Sequence, residues 1–394
     1  QVFAQQAGTA DAPNRTAIYS GGDILTMRGT EPEYVECLVV KEGKIVFVGK
    51  LTEGVKIAGP EAETIGLAGK TLLPGFIDTH GHFVYFGKNL VDANLFNCAD
   101  ISDLIERMKK QLDKTPEGAW IVGFGYQARG MKEGRPPTSE ELDKISKDRP
   151  VMVVDSSGHL GAANSAAFKA AGITADTPDP TGGQFERKQD GKSLLGPMEE
   201  TALNAVRSKR PPFSGELASR AIVGAAKVWA SYGQTTAMEA GLGLGNDDIA
   251  IVQNAIDEKL LPIDLYLAAK DSALDDTLAA AYAVSSQYDS KGGTGGSVVS
   301  KLRAMRPDLD QRYINRVRLG GVKFWLDGSL DTAWFTKPYT QNPGGKTGSF
   351  SGYRQIPDEV LDAVFDKYWP TELQIHMHMN GDAAADQALS AIAK

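Results

Sequence analysis

The sequence predicts an α/β fold, in which a small β domain precedes a larger domain of strands and helices around a parallel sheet. Residues 17–71 read as short strands separated by turns, whereas apolar strands alternate with amphipathic helices after Lys70, which is the pattern of βα units. The 394 residues, 42% of them hydrophobic, exceed the roughly 100–200 residues of a usual single domain. One large barrel with a small satellite domain fits this length.

The β domain, residues 16–71, is predicted from its alternating apolar residues. Strands are expected at 17–27, 35–40 and 45–48. The residues between the last two strands, Lys41-Glu42-Gly43-Lys44, predict a hairpin turn, since glycine adopts a positive φ most easily.

The larger domain, residues 72–394, begins with a predicted strand at 72–80. A helix is expected at 102–114, with Ser102 as its N-cap. A second is expected at 214–232, ending at Gly233, with these residues on one face: Leu217, Ala221, Ala225, Val228 and Trp229. The remaining strands are predicted at 235–239, 263–268, 317–326 and 373–379.

An insertion is predicted at about 100–210, between the first strand and the helix at 214. It contains two apolar runs, at 120–124 and 151–154, and a loop at 177–183 that is rich in Gly, Pro and Asp. We expect it to lie over the mouth of the barrel.

Composition excludes several kinds of partner. The net charge is −8 and the basic residues form no stripe, so nucleic acid and anionic membrane are not expected. No run of about 18 apolar residues is present, so no membrane span is expected. Cys37 and Cys98 are too few for a disulfide framework and are expected in the core, although one bridge stays open. The expected partner is a small-molecule substrate, and a homodimer is compatible with the sequence.

The N-terminus carries an export signature. Val2-Phe3-Ala4 has the small-residue ending of a signal-peptide cleavage site. Residues 1–15 are therefore expected to be a disordered tail of an exported protein, periplasmic or extracellular; the alternative is a ragged terminus of a cytoplasmic protein.

His80-Gly81-His82 closes the first predicted strand of the larger domain. Side chains at i and i+2 of a strand point to the same face, and the carboxyl ends of barrel strands hold the active site. With only five histidines in the chain, this pair predicts two metal ligands. A pair of unrelated surface histidines is the alternative.

Two later strands carry similar chemistry. His376 and His378 repeat the i, i+2 spacing, with His378 nearer the carboxyl end of its strand and His376 either packed or at the substrate. Lys323 lies within an apolar strand, where a cation is unfavourable. It is expected either to pair with a carboxylate or to be carbamylated, which would make it an anionic bridge between two metals.

The motifs together resemble the amidohydrolase superfamily, and within it the family-3 branch that includes N-substituted formamide deformylase. Residues 73–82 resemble the first-strand signature of the superfamily. The branch is indicated by these further segments: Asp155-Ser156-Ser157-Gly158-His159 with Asn164-Ser165, Gly196-Pro197-Met198-Glu199-Glu200, Gly321-Val322-Lys323, Asp327-Gly328-Ser329, and His378 through Gly381-Asp382. These matches span roughly residues 17–394 in the order of the family.

The resemblance implies a (β/α)8 TIM barrel with a small β-sandwich domain. It implies that His80 and His82 on strand 1, Lys323 on strand 4 and His378 on strand 5 bind one or two divalent metal ions, zinc first among them. Lys323 and His378 are the catalytic candidates.

The resemblance also places residues at the substrate. His159 would face it, and His376 is a further candidate. Asp327 and Ser329 would position substrate or orient Lys323; the alternatives are a loop histidine for His159 and turn residues for the other two.

Such enzymes also use a histidine on strand 6 and an aspartate on strand 8 as general base. The 394 residues hold no counterpart, since they end after the helix that follows strand 5. We therefore expect the last barrel strands to lie on a longer chain.

The function implied is a metal-dependent hydrolase that cleaves a non-peptide C–N bond of the amide type with activated water. One alternative keeps this site but makes a deaminase, or an ester or carbamate hydrolase. Another is a metal-binding chain without turnover.

Overall fold

A computed structural model describes residues 15–213, 215–245, 247–274, 313, 315–343, 348–371 and 373–394. The predicted N-terminal tail lies outside the described residues except for Arg15. The chain divides into two compact units. The first comprises the residues up to Ile77 together with Trp229–Thr236, and the second comprises Asp78–Val228 and Ala237–Lys394.

The first unit is built on a four-stranded sheet. Its elements are β1 (Thr16–Leu25), β2 (Tyr34–Lys41), β3 (Lys44–Gly49), α1 (Leu51–Ala58), β4 (Glu63–Gly66) and β5 (Phe76–Ile77), and the sheet has the order β3-β2-β1-β4. Ile18, Cys37 and Val39 form its buried core. The predicted hairpin turn is confirmed, with Glu42 at φ 52° and Gly43 at φ 72°. The β-sandwich stays a prediction.

The second unit contains the remaining helices and strands. In chain order they are α2 (Phe83–Val91), β6 (Ala93–Asn94), α3 (Ile101–Leu112), β7 (Ile121–Tyr126), α4 (Ser139–Leu142), β8 (Val151–Asp155), β9 (Leu160–Ala163), α5 (Ser165–Ala171), β10 (Gly183–Arg187), β11 (Leu194–Glu200), α6 (Thr201–Arg207), α7 (Gly215–Ser231), β12 (Gln234–Leu242), α8 (Asp248–Asp257), β13 (Asp264–Lys270), β14 (Val317–Trp325), α9 (Asp358–Tyr368), β15 (Gln374–His378) and α10 (Asp382–Ile392). The last three residues of α7 and the first three of β12 belong to the first unit.

A six-stranded sheet occupies the region where the sequence predicts an insertion. Its order is β10-β11-β9-β8-β7-β6. Side chains alternate across β8, so that Val151 and Val153 pack in one buried cluster with α3, whereas Met152 and Val154 pack in another with α5 and α6. This burial on both faces explains why the strand is a continuous apolar run.

The parallel sheet has the order β15-β14-β13-β12-β5. β14 pairs in parallel with both β13 and β15, and β12 pairs in parallel with β5. This curled sheet is part of a barrel and confirms the predicted α/β fold class. The strands predicted at 235–239, 263–268, 317–326 and 373–379 are all confirmed within a few residues as β12 to β15.

The first barrel strand is much shorter than predicted. Instead of 72–80, regular pairing is limited to Phe76 and Ile77, which pair with Gln234 and Thr236 of β12. The regular strand ends at Ile77, and His82, although it still forms an isolated bridge with Glu239, is already the N-cap of α2. The i, i+2 strand argument for His80 and His82 is therefore wrong, although the two side chains still lie close together.

Two helix predictions need correction in detail. The N-cap of α3 is Asp100, not Ser102, because the Asp100 carboxylate accepts a hydrogen bond from Asp103 N. In α7, Leu217 is 43% exposed, while the buried side is formed by Ala218, Ala221, Ile222, Ala225 and Ala226. Both cysteines are free and buried, as expected of core residues.

Candidate active site

Residues at the start of α2 and at the end of β12 form one side of the site. The rings of His80 and His82 lie edge to face, with their centroids 5.8 Å apart. Glu239, buried in β12, places one carboxylate oxygen 3.4 Å from His82 Nδ1 and accepts a hydrogen bond from Val84 N at 2.7 Å with the other. Glu239 therefore orients His82 through Nδ1 and leaves Nε2 for another ligand.

Lys323 and the histidines of β15 form the adjacent side. Lys323 is 2% exposed, and burial lowers the pKa of its amine to about 8, while Glu239 opposes this shift. In register, Lys323 pairs with His376, and Trp325 pairs with His378. Burial lowers the pKa of His80, His376 and His378, and Lys323 lowers each of them further.

Asp327 connects the end of β14 to the turn after β15. Its carboxylate accepts hydrogen bonds from the backbone N–H groups of Asn380, Gly381 and Trp334, at distances of 2.7–3.1 Å. Asn380 in turn donates to Gly328 O at 2.8 Å, and His378 Nε2 lies 3.1 Å from the same oxygen. Asp327 therefore holds the segment that carries His378.

His159 reaches the site from the six-stranded sheet. Its ring stacks on His378 with a centroid distance of 5.1 Å, and its Nδ1 lies 2.8 Å from a carboxylate oxygen of Glu200. The other Glu200 oxygen accepts from the Thr332 hydroxyl and from Ser329 N, at 3.4 Å for Ser329. Ser329 is thus buried against Glu200 and contributes a backbone donor.

A cavity of about 670 Å³ opens beside these residues. Four of the predicted site residues line it: His82, His159, Lys323 and Asp327. Four others do not: His80, His376, His378 and Ser329. His376 instead packs against the Tyr266 ring, with a centroid distance of 6.2 Å, and its buried Nε2 has no hydrogen-bond partner among the described residues.

Glu200 and Glu239 are the functional candidates that the sequence reasoning missed. Glu200 ends β11 and Glu239 lies within β12, and both are buried, where a charged group is rarely found without a partner. That position was a usable signal for Glu239. Glu200 lies in one of the family motifs, and its contacts with Ser329 and Thr332 depend on segments far away in the sequence.

The comparison with known families decides the assignment, since residues 63–394 match the amidohydrolase family. The chain belongs to the amidohydrolase family. The resemblance predicted from the motifs is therefore confirmed at the level of the family.

Two relatives of this amidohydrolase carry related names. N-substituted formamide deformylase of Arthrobacter pascens is 37% identical over 175 residues, which are 44% of this chain and 32% of the deformylase. YtcJ of Bacillus subtilis (strain 168), which bears the amidohydrolase name, is 27% identical over 387 residues, which are 96% of this chain and 66% of YtcJ. The chain thus spans less than two thirds of the length of either relative.

A solved structure agrees on the fold. An uncharacterised metal-dependent hydrolase from Pyrococcus furiosus superimposes with a TM-score of 0.65 at 24% sequence identity, covering 96% of this chain and 70% of that protein. At this identity the likeness supports the fold of the amidohydrolase and nothing finer.

The family implies a divalent metal, and the chemistry of the donors fits one. Imidazole and carboxylate groups, the preferred zinc ligands, converge around Lys323. The unpartnered Nε2 of His376 shows that imidazole nitrogens here are not all used by the protein. As the side chains stand, no group of three His, Cys, Asp or Glu residues in the described part of the chain is arranged closely enough to enclose an ion.

Proposed function

We propose that this amidohydrolase cleaves an amide-type C–N bond outside peptides, with a divalent metal held by His80, His82, Lys323 and His378. The observation that carries the proposal is the convergence of all five histidines of the chain around Lys323 beside one cavity. Zinc is the proposed metal because it suits imidazole ligands. With an unmodified Lys323 we expect one ion held by the histidines, and with a carbamylated Lys323 we expect two ions that share it as a ligand.

When bound, the metal would act as a Lewis acid that lowers the pKa of a bound water and polarises the carbonyl oxygen of the substrate. The residues of the chain orient the groups around it. Glu239 holds His82 through Nδ1, and Asp327 holds the turn that follows His378. Outer partners of this kind set the ring orientation on which metal affinity depends.

His159 is the side chain proposed to meet the substrate. Because its Nδ1 donates to the Glu200 carboxylate, Nε2 is the ring atom left for a hydrogen bond to the scissile amide. A group in this position could stabilise negative charge on the carbonyl oxygen or donate a proton to the leaving nitrogen.

The deciding experiment is elemental analysis of the purified chain beside a His80→Ala/His82→Ala double variant. A matched control is Glu106→Ala/Lys110→Ala, which removes an exposed ion pair on α3. We expect bound divalent metal in the parent and the control and its loss in the double variant. Absence of metal from the parent after loading with zinc would contradict the proposal.

A substrate screen then tests the bond. N-formyl and N-acetyl amines, esters, carbamates and a cyclic amidine are offered to the zinc-loaded chain, and the same series is offered to the double variant. Turnover of the amides above the others supports the proposal. A preference for the amidine would indicate a deaminase, and metal binding without any turnover would indicate a non-catalytic role for this stretch of chain.

A further inference from the structure

The lining of the cavity includes charged residues of both signs, and nearly all of them are paired. Lys88 binds the carboxylates of Asp247 and Asp248. Arg210 forms a bidentate salt bridge with Asp92, with hydrogen bonds of 2.8 and 2.6 Å. These five residues all line the cavity, and each of their charged groups has an oppositely charged partner without a ligand.

Arg207, at the end of α6, is different. Its guanidinium donates to two neutral groups, the Tyr85 hydroxyl at 3.3 Å and the Asn204 side-chain oxygen at 2.5 Å, and lies 5.5 Å from the centre of the Tyr85 ring. Within the part of the chain that the structure describes, it forms no ion pair with a carboxylate. Lys270 shares this property, but it is exposed, so solvent screens its charge.

A second donor lies beside Arg207. The side chain of Asn89 is buried, lines the same cavity and adjoins the Tyr85 hydroxyl, and its nitrogen makes no hydrogen bond of normal geometry with the described residues. Tyr85 adjoins both Asn89 and Arg207, and burial raises the pKa of its hydroxyl, so the hydroxyl keeps its proton. Buried donors normally find acceptors, and an arginine fork matches a carboxylate in two-pronged geometry.

We propose that Arg207, Tyr85 and Asn89 form an anion subsite that binds a carboxylate on the substrate. The subsite and the proposed reaction centre share one cavity, so the preferred substrate is an amide that carries a carboxylate on the same molecule. This inference rests on the proposed function for its meaning, because it names the class of amide. The binding that it predicts does not require turnover.

The test uses a pair of sulfonamides that the enzyme cannot hydrolyse. N-methylsulfonylphenylalanine carries the carboxylate, and N-methylsulfonylphenethylamine is the same compound without it. Both are titrated by calorimetry into the parent chain and into Arg207→Gln, Arg207→Lys and Lys209→Gln. Lys209 is an exposed cation outside the cavity lining and serves as the matched control.

We expect the carboxylate compound to bind the parent and Lys209→Gln at least about tenfold more tightly than the neutral one, since charge-assisted hydrogen bonds are the strong ones. Arg207→Gln should lose this preference while its affinity for the neutral compound is kept, and Arg207→Lys should retain part of it. Equal affinities in the parent, a preference that survives in Arg207→Gln, or binding of neither compound would overturn the subsite. A chain that passes this test but hydrolyses no amide would contradict the proposed function alone.

Discussion

Glu200 combines two features that are unfavourable unless something compensates for them. Its backbone has φ 50° and ψ −116°, a region that residues other than glycine rarely adopt, and its carboxylate is buried. Such a conformation costs on the order of 1–3 kcal/mol and concentrates at functional sites. The contacts of the carboxylate with His159, Ser329 and Thr332 provide the compensation.

Replacing Glu200 by glutamine tests whether its carboxylate orients the ring of His159. We expect Glu200→Gln to lower kcat by about 10–100-fold, because a neutral amide holds the ring of His159 less firmly, while KM changes little. Steady-state kinetics measure kcat and KM on an amide identified in the substrate screen. Glu199→Gln is the control, since the neighbouring carboxylate accepts from Tyr353 and lies outside the main cavity; equal losses in the two variants would contradict a role for Glu200 in orienting His159.

Three of the proposed metal ligands, His80, His82 and His378, show how much a local sequence pattern can predict. His80 and His82 were predicted from one HxH motif, and His378 from a second one at the carboxyl end of an apolar strand. The strand geometry predicted for His80 and His82 was wrong, since both residues follow β5 rather than lie in it. The proximity nevertheless holds, because one intervening glycine cannot separate two imidazoles widely.

Among the helices, α2 and α7 pack closely through glycine. A Cβ added to Gly87 in α2 would stand 2.5 Å from the backbone oxygen of Ala221 in α7, which cannot move without moving the helix. A Cβ added to Gly224 in α7 would stand 3.1 Å from the end of the Leu90 side chain, which can rotate away. The same interface therefore contains one glycine that the packing requires and one that it does not.

This difference predicts opposite outcomes for two alanine substitutions. Gly87→Ala should destabilise the chain by about 1–3 kcal/mol through overpacking, although alanine favours helix. Gly224→Ala should be neutral or stabilising by up to about 1 kcal/mol, since helix propensity is gained without a clash. Urea unfolding of both variants measures the free energies of unfolding, and a similar change in both would contradict the difference in packing between the two glycines.

The short helix α4 depends on its cap. Thr138 accepts from Glu141 N, the Glu141 carboxylate accepts from Thr138 N, and Arg135 makes two hydrogen bonds to that carboxylate. Arg135, with Thr138, lowers the pKa of Glu141 to about 2. A carboxyl group whose pKa is lowered on folding contributes stability that is present above its unfolded pKa and is lost as the pH falls towards the folded value.

The stability of Glu141→Gln relative to the parent should therefore depend on pH. At pH 7 we expect a loss on the order of 1 kcal/mol, from the weaker cap and the missing ion pair. The difference should shrink as the pH falls from about 4.5 to about 2, because the parent carboxylate is then protonated. Chemical unfolding across this range measures it. The exposed Glu117→Gln serves as control, and a difference independent of pH would argue against the ionised cap.

At the scale of the whole molecule, bound metal should contribute to stability. The proposed metal site brings histidines close to Lys323. Burial and the charge of Lys323 lower the pKa of His80 and His378, so that these imidazoles are favoured in the neutral form that binds metal. A ligand that binds only the folded state stabilises it by about 2.7 kcal/mol at a hundredfold excess over its dissociation constant. We expect chelation to lower the melting temperature of the parent and to leave that of His80→Ala/His82→Ala unchanged.

Calorimetric melting with and without EDTA makes this comparison. A parent whose melting temperature does not change after verified removal of its metal would mean that the ion is not held by the folded cluster. A double variant that still responds to chelation would mean that the ion is held elsewhere.

The sequence by itself determined the fold class, the strands β12 to β15 to within a few residues, the apolar runs that contain β7 and β8, and the chemical types of the predicted metal ligands. Those conclusions rest on periodicity and on rare residues in apolar runs, which are properties of short windows. Only the tertiary structure decided the length of β5, the buried side of α7, and the meeting of His159 with His378 and Glu200. It also decided that Arg207 shares a cavity with Lys323. The reason is physical: long-range contacts follow from how two sheets and their helices pack, and no local pattern records which distant side chain will neutralise a buried charge.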